Sequence, residues 1–314
     1  MAILKTLAIL DDYQKVSLSS VDWTEVQKKV KITVFDKYIG NSSELVDTLK
    51  KFDIICCMRE RTPFPESLLK QLPNLKLLIT SGAKNASIDI QAAEKQGVVF
   101  RGTQSPGYAA SELAWGLLLS LARNIHIENA SMRAGGWQTT IGTDLKGQTL
   151  GIVGLGRHGS NVARFGHAFG MKVIAWSQNL SQQHCDAHEV EYVDKQQFFE
   201  QSDFISVHLK MGQRNTNVIA EQELQWMKPS AYLINTSRGP IVNEKALIKS
   251  LKNKKIAGVA LDVYDQEPLP KGHAFLNLPN VLMTSHIGFV TKQTYQVFYG
   301  GMVENVLDWL QQNE

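Results

Sequence analysis

At 314 residues, 43% hydrophobic and 20% charged, the chain has the length of two domains and the balance of a soluble globular protein. A net charge of +3 gives no reason to expect a nucleic-acid partner, and the basic run LKNKK at 251–255 reads as a solvated helix end. Three cysteines, of which Cys56 and Cys57 are adjacent, exclude a disulfide framework and point to a reducing compartment, the cytoplasm.

The N-terminal run MAILKTLAILDDY is broken by Lys5 and Thr6 and reads as a buried first strand, not a signal peptide. Strand-like runs follow at 7–10, 31–36, 53–58, 75–80 and 97–101, with helical candidates around 42–51, 65–72 and 87–96 between them. That alternation predicts a parallel sheet covered by helices. No glycine-rich loop follows the first strand. A long helix is predicted at about 107–124, with apolar positions nearly all round it, so it is expected to lie buried between elements. Its core, YAASELAWGLLLSLA, carries Ser111, Glu112 and Ser120 and is too short to span a bilayer; no membrane partner is expected. After the glycine-rich MRAGGWQ a second βα series begins, with strands at 149–153, 172–176, 203–208, 231–235, 256–261 and 280–284. A helical pattern at about 291–312 closes the chain. The fold class is therefore α/β, with two doubly wound, Rossmann-like or flavodoxin-like domains.

Within LGIVGLGRHGSNVARFG, Gly154, Gly156 and Gly159 satisfy Gly-x-Gly-x-x-Gly between an apolar strand and an amphipathic helix. The first glycine permits a tight turn and the second lets backbone N–H groups approach a pyrophosphate. The third allows close helix–strand packing, and the helix N-terminus favours the phosphate charge. Such a unit usually places an acid about 20 residues on, to hold an adenosine ribose. Here that position is Ser177, followed by Gln178 and Asn179. Nothing repels a 2′-phosphate and no adjacent arginine attracts one, so NAD and NADP both stay open.

Ligands of open α/β sheets bind beyond the carboxyl ends of the strands. Three segments put unusual residues there: LINTSRGPIV carries Arg238, ALDVYDQEPLP carries Asp262 and Glu267, and TSHIG carries His286. Singly, each has a bland reading as a turn, loop or core residue. Together they supply a cation, an acid and a titrating base. A guanidinium can hold a carboxylate and polarise a ketone, an imidazole can transfer a proton near neutrality, and a carboxylate can orient it.

With GIVGLGRHG, these segments, in this order, resemble the D-isomer-specific 2-hydroxyacid dehydrogenases, a likeness covering nearly the whole chain. The family includes D-lactate dehydrogenase, hydroxypyruvate and glyoxylate reductases and 3-phosphoglycerate dehydrogenase. The resemblance implies Arg238, Glu267 and His286 as catalytic residues. It implies a nicotinamide cofactor, NAD or NADP, contacted by the glycine loop with Arg157 and His158, and by Ser177, His208, Thr236 and Asp262. The substrate carboxylate would meet Arg238 and backbone N–H groups of Ala83 and Lys84. Lys84, with Arg59 and Arg61, could add charge for a dianionic substrate; surface charge is the bland alternative. The resemblance also implies a discontinuous substrate domain, 1–101 and 287–314, holding an inserted cofactor domain, 102–286, across a cleft. A homodimer built around the helix at about 107–124 and the segment after it is implied too.

The expected partner is a small 2-keto or 2-hydroxy acid, with glyoxylate or hydroxypyruvate favoured. Two rivals remain: a short form of 3-phosphoglycerate dehydrogenase, and a nucleotide-sensing binding protein like the family's corepressors. The stretch HCDAH at 184–188 has zinc-like spacing but no completing ligands nearby, so no metal is expected. Trp115, Trp137, Trp176 and Trp309 are read as packing residues.

Overall fold

A computed structural model of the chain describes residues 4–40 and 43–313. Residues 1–3 of the N-terminal run, and Ser42 of the helix expected at 42–51, lie outside the described residues. The chain forms two compact units, Met1–Pro106 with Val290–Glu314, and Gly107–Phe289.

The first unit holds five parallel strands, β1 (Lys5–Ile9), β2 (Val30–Val34), β3 (Ile54–Cys57), β4 (Leu77–Thr80) and β5 (Val99–Gly102). Their order is β2-β1-β3-β4-β5. Every residue of β3 and β4 is buried, as expected of parallel strands covered on both faces. One face packs Ala8, Ile55, Cys57 and Leu78 under Leu49, Phe52 and Leu69. The C-terminal helix Lys292–Gln312 packs against β4 and β5, with Phe298, Tyr299, Met302 and Val306 buried. Burying each such side chain contributes about 1.5–3 kcal/mol.

The second unit holds seven parallel strands: β6 (Thr149–Val153), β7 (Lys172–Trp176), β8 (Glu191–Tyr192), β9 (Phe204–Val207), β10 (Tyr232–Asn235), β11 (Gly258–Leu261) and β12 (Val281–Met283). They run in the order β12-β11-β10-β9-β6-β7-β8. The chain reverses direction of progress between β6 and β9, which marks the crevice where doubly wound sheets take ligands. Alternating side chains feed two cores. Ile205 and Leu233 face the layer of Phe198, Phe199 and Leu247, while Phe204 and Ile234 face Leu118 and Val162.

The helix expected at about 107–124 spans Ala109–Ala122 and packs on β10, β11 and the helix Arg157–Ala168. It is less enclosed than expected, because Glu112 and Gly116 are exposed. A further helix, Ile125–Arg133, buries none of its residues within the chain. Trp137, expected to pack, is 73% exposed; Trp115, Trp176 and Trp309 are buried. Among the described residues no helix is long and apolar enough to cross a membrane.

Candidate active site

β6 runs into Gly154, whose φ of 93° is a left-handed turn that side chains resist. The turn is tied to neighbouring strand ends: Gly154 N–H donates to the Trp176 carbonyl at 3.0 Å, and His208 N–H donates to the Val153 carbonyl at 2.8 Å. A Cβ on Gly159 would stand 2.1 Å from the Gly154 carbonyl oxygen, so only glycine lets the helix seat this close to the loop. Around Gly156, just before the helix Arg157–Ala168, a Cβ would meet nothing within 4 Å. Open space beside a helix N-terminus and a polar strand end is what a dinucleotide pyrophosphate requires. These residues therefore fit the cofactor that the sequence implies.

Ser177 follows β7 directly and is partly exposed. Arg157 and His158 turn toward the start of the helix Ala109–Ala122. The Arg157 guanidinium covers Gly107, and His158 Nδ1 lies 3.1 Å from Ser111 Oγ. Burial, and then the Arg157 charge, lower the His158 pKa. His208, one residue past β9, shares a 2.8 Å hydrogen bond with Ser206 Oγ. Burial, and then the charge of His158, push His208 down to about 3. His208 is thus a neutral ring at the sheet edge, unable to compete as an acid near neutrality.

The loop after β10 is locked by its own side chains. Ser237 N–H donates to Asn235 Oδ1 at 3.1 Å, Asn235 Nδ2 to the Arg238 carbonyl at 3.0 Å, and Ser237 Oγ to the Val207 carbonyl at 3.0 Å. Thr236 lies within this loop and is partly exposed. Arg238 is extended and anchors Nη1 on the Ser237 carbonyl at 2.7 Å. At Gly239 a Cβ would meet the Tyr264 carbonyl carbon at 2.1 Å, so this loop lies directly on the one carrying Glu267.

Glu267 accepts from Tyr264 N–H through Oε1 at 2.9 Å and faces His286 Nδ1 through Oε2 at 2.5 Å. A carboxylate can only accept, so Nδ1 carries the proton and Nε2 is the imidazole nitrogen left for chemistry. His286 adopts φ 54°, a left-handed conformation costing on the order of 1–2 kcal/mol for a residue with a Cβ. Asp262 holds that turn. It is fully buried past β11 and accepts from Thr284 Oγ1 at 2.6 Å, Ile287 N–H at 2.8 Å and Gly288 N–H at 2.8 Å. Burial raises its pKa, opposed first by the Thr284 hydroxyl. The pairing of Leu261 with Met283 puts Asp262 opposite Thr284, so sheet register sets the alignment. The Tyr264 hydroxyl donates to the Thr284 carbonyl at 2.8 Å and tightens the same corner.

Arg238, Glu267, His286, Asp262, Thr236, His208, Ser177 and the glycine loop thus occupy one sheet's carboxyl edge in the second unit. Ala83 and Lys84 belong to the first unit, exposed on the loop after β4. That loop is braced by Gly82 N–H on Thr103 Oγ1 at 2.8 Å and by Asn85 Nδ2 on the Arg59 carbonyl at 2.6 Å. The Arg59 guanidinium donates to the Ser81 carbonyl at 3.0 Å, and Arg61 donates to the Asp11 carbonyl at 2.7 Å while stacking on Tyr13. Both guanidinium groups are engaged inside their unit. Sequence reasoning missed Tyr264, Asn235 and Ser237 as braces. The one signal was their placement within three residues of Glu267 or Arg238.

A family model described as D-isomer specific 2-hydroxyacid dehydrogenase, NAD binding domain, matches residues 115–288. A glyoxylate reductase of Thermococcus litoralis is 39% identical over 77% of this chain and 74% of its own length. A D-3-phosphoglycerate dehydrogenase of Synechocystis is 33% identical over 93% of this chain, which spans only 53% of that relative. A crystal structure of a phosphoglycerate oxidoreductase from Vibrio cholerae superposes with a TM-score of 0.93 at 35% identity, covering 99% of this chain and 100% of the other.

Proposed function

Because the chain belongs to the D-isomer specific 2-hydroxyacid dehydrogenase family, we propose that it reduces a small 2-keto acid of the glyoxylate or hydroxypyruvate kind, with Arg238, Glu267 and His286 as its catalytic residues. The observation that carries this reading is the 2.5 Å contact between Glu267 Oε2 and His286 Nδ1. A bound nicotinamide supplies or accepts the hydride at C2 of the substrate. The protein's share is to hold the acid and move one proton. His286 delivers that proton from Nε2 to the ketone oxygen, and Glu267 stabilises the imidazolium before transfer. Arg238 fixes the substrate carboxylate and polarises the ketone through its fork of donors. Gly154, Gly156 and Gly159 receive the pyrophosphate, with Arg157, His158, Ser177, His208, Thr236 and Asp262 around the cofactor. Met1–Pro106 with Val290–Glu314 acts as the substrate domain, and Gly107–Phe289 as the cofactor domain. Three buried free cysteines suit the cytoplasm.

The test is nicotinamide absorbance with glyoxylate, hydroxypyruvate, pyruvate and phosphohydroxypyruvate, each with NADH and NADPH. Fastest turnover of glyoxylate or hydroxypyruvate is expected. Selective use of phosphohydroxypyruvate would replace this substrate with that of the phosphoglycerate dehydrogenases. Nucleotide binding without any turnover would sink the enzyme reading in favour of a sensor.

A homodimer completes the proposal. Ile125, Met132, Trp137 and Ile141 are 53%, 53%, 73% and 96% exposed along one stretch, the kind of apolar run that marks an interaction surface. A second copy covering Ile125–Arg133 and the segment after it would explain why this helix buries nothing within the chain. Light scattering after size exclusion should give twice the chain mass. Ile141→Asp combined with Trp137→Ser should give monomers. A monomeric parent protein at micromolar concentration would end this assignment.

A further inference from the structure

We infer that His184, together with Ser177, forms a subsite for a phosphate on the adenosine 2′-oxygen, so that the chain prefers NADP(H) over NAD(H); this rests on reading the glycine loop as a dinucleotide site. The loop is stitched to β7 through Gly154 N–H and the Trp176 carbonyl, so Ser177 lies at the loop's edge. A carboxylate there would accept from the ribose hydroxyls and repel a phosphate. This chain instead has Ser177, Gln178 and Asn179, and no acidic residue occurs from 177 to 185. Gln178 Nε2 donates to the Arg214 carbonyl at 3.0 Å, which keeps a basic segment beside the same strand end.

The second observation is where His184 goes. Ser181 caps the short helix Gln182–Asp186 by accepting from His184 N–H. From that helix the imidazole turns back onto the glycine loop, and its Nε2 meets the Leu155 carbonyl at 2.7 Å. A carbonyl only accepts, so Nε2 carries a proton. Nδ1 is then the second ring nitrogen, left to meet a phosphate with the ring fixed against the loop. Its ring lies edge-on to His188 with centroids 5.0 Å apart. Cys185 between them is buried, and the next acid along the chain, Asp186, accepts from Gln182 Nε2 at 2.7 Å. The first histidine of the pair that looked like a chance zinc spacing is thus fixed on the glycine loop, seven residues past the position where a carboxylate would otherwise be.

Isothermal titration of the full chain with 2′,5′-ADP and with 5′-AMP isolates the 2′-phosphate, since the probes differ only there. The parent should bind 2′,5′-ADP about tenfold or more tightly than 5′-AMP, the scale of one charge-assisted hydrogen bond. His184→Gln keeps an N–H for the Leu155 carbonyl and loses the second ring nitrogen. It should cut the ratio to about threefold or less without weakening 5′-AMP, because only the contact to the 2′-phosphate is removed. Ser177→Asp should invert the preference. Equal affinity of the parent for both probes, or equal weakening of both by His184→Gln, would overturn the inference while leaving the dinucleotide site standing. Binding of neither probe would overturn the dinucleotide reading as well.

Discussion

Replacing His286 with alanine is expected to lower kcat by about 10²–10⁴-fold, the usual share of a positioned general acid–base group. The expectation rests on the ordering of the imidazole. Its Nδ1 is committed to Glu267 at 2.5 Å, so Nε2 is the only ring nitrogen able to exchange a proton with substrate. Glu267→Gln should be damaging by a different route. An amide N–H aimed at Nδ1 favours the opposite tautomer, so the ring survives with its proton on the wrong nitrogen. Steady-state rates with the preferred keto acid check both variants. Turnover of His286→Ala within about threefold of the parent would remove the histidine from the mechanism, because a general acid typically contributes about 10²–10⁴-fold.

Arg238→Lys is expected to lower kcat/KM by about 10²–10³-fold, comparable to deleting one preorganised donor to a developing oxyanion. Lysine keeps the charge but not the planar fork, and the fork is what one group needs to serve a carboxylate and a ketone oxygen together. The guanidinium plane is set locally by Nη1 on the Ser237 carbonyl at 2.7 Å, and the loop below it by Asn235. The loss should fall on both kcat and KM, because the carboxylate contact exists in the ground state and the ketone contact strengthens in the transition state. A rise in KM alone would restrict Arg238 to binding.

Much of this site was legible because it is written in local pattern. A glycine loop between an apolar strand and a helix can be read from a dozen residues, as can polar groups just past buried runs. The strand series was legible for the same reason, with edges moving by a residue or two; β8, only Glu191–Tyr192, was too short to register. The helix Ile125–Arg133 was missed because its apolar residues face no core of this chain and so trace no buried stripe. Trp137, read as a packing residue, instead stands 73% exposed in the segment after that helix. The brace by Asp262 had no sequence signature. Its partners are main-chain N–H groups 25 and 26 residues away, brought near only by the β11–β12 register. His184 was legible as a spacing but not as a contact, because its acceptor is the Leu155 carbonyl.

On the role proposed for His286, its left-handed backbone sets stability and chemistry against each other at a single position. Glycine would relax that backbone, and asparagine tolerates it better than histidine does. Neither can donate the proton. A library screened only for heat resistance therefore has a reason to discard this histidine, and one screened only for turnover must keep it. Engineering of this chain should lock residue 286 before selection begins and look for heat resistance elsewhere.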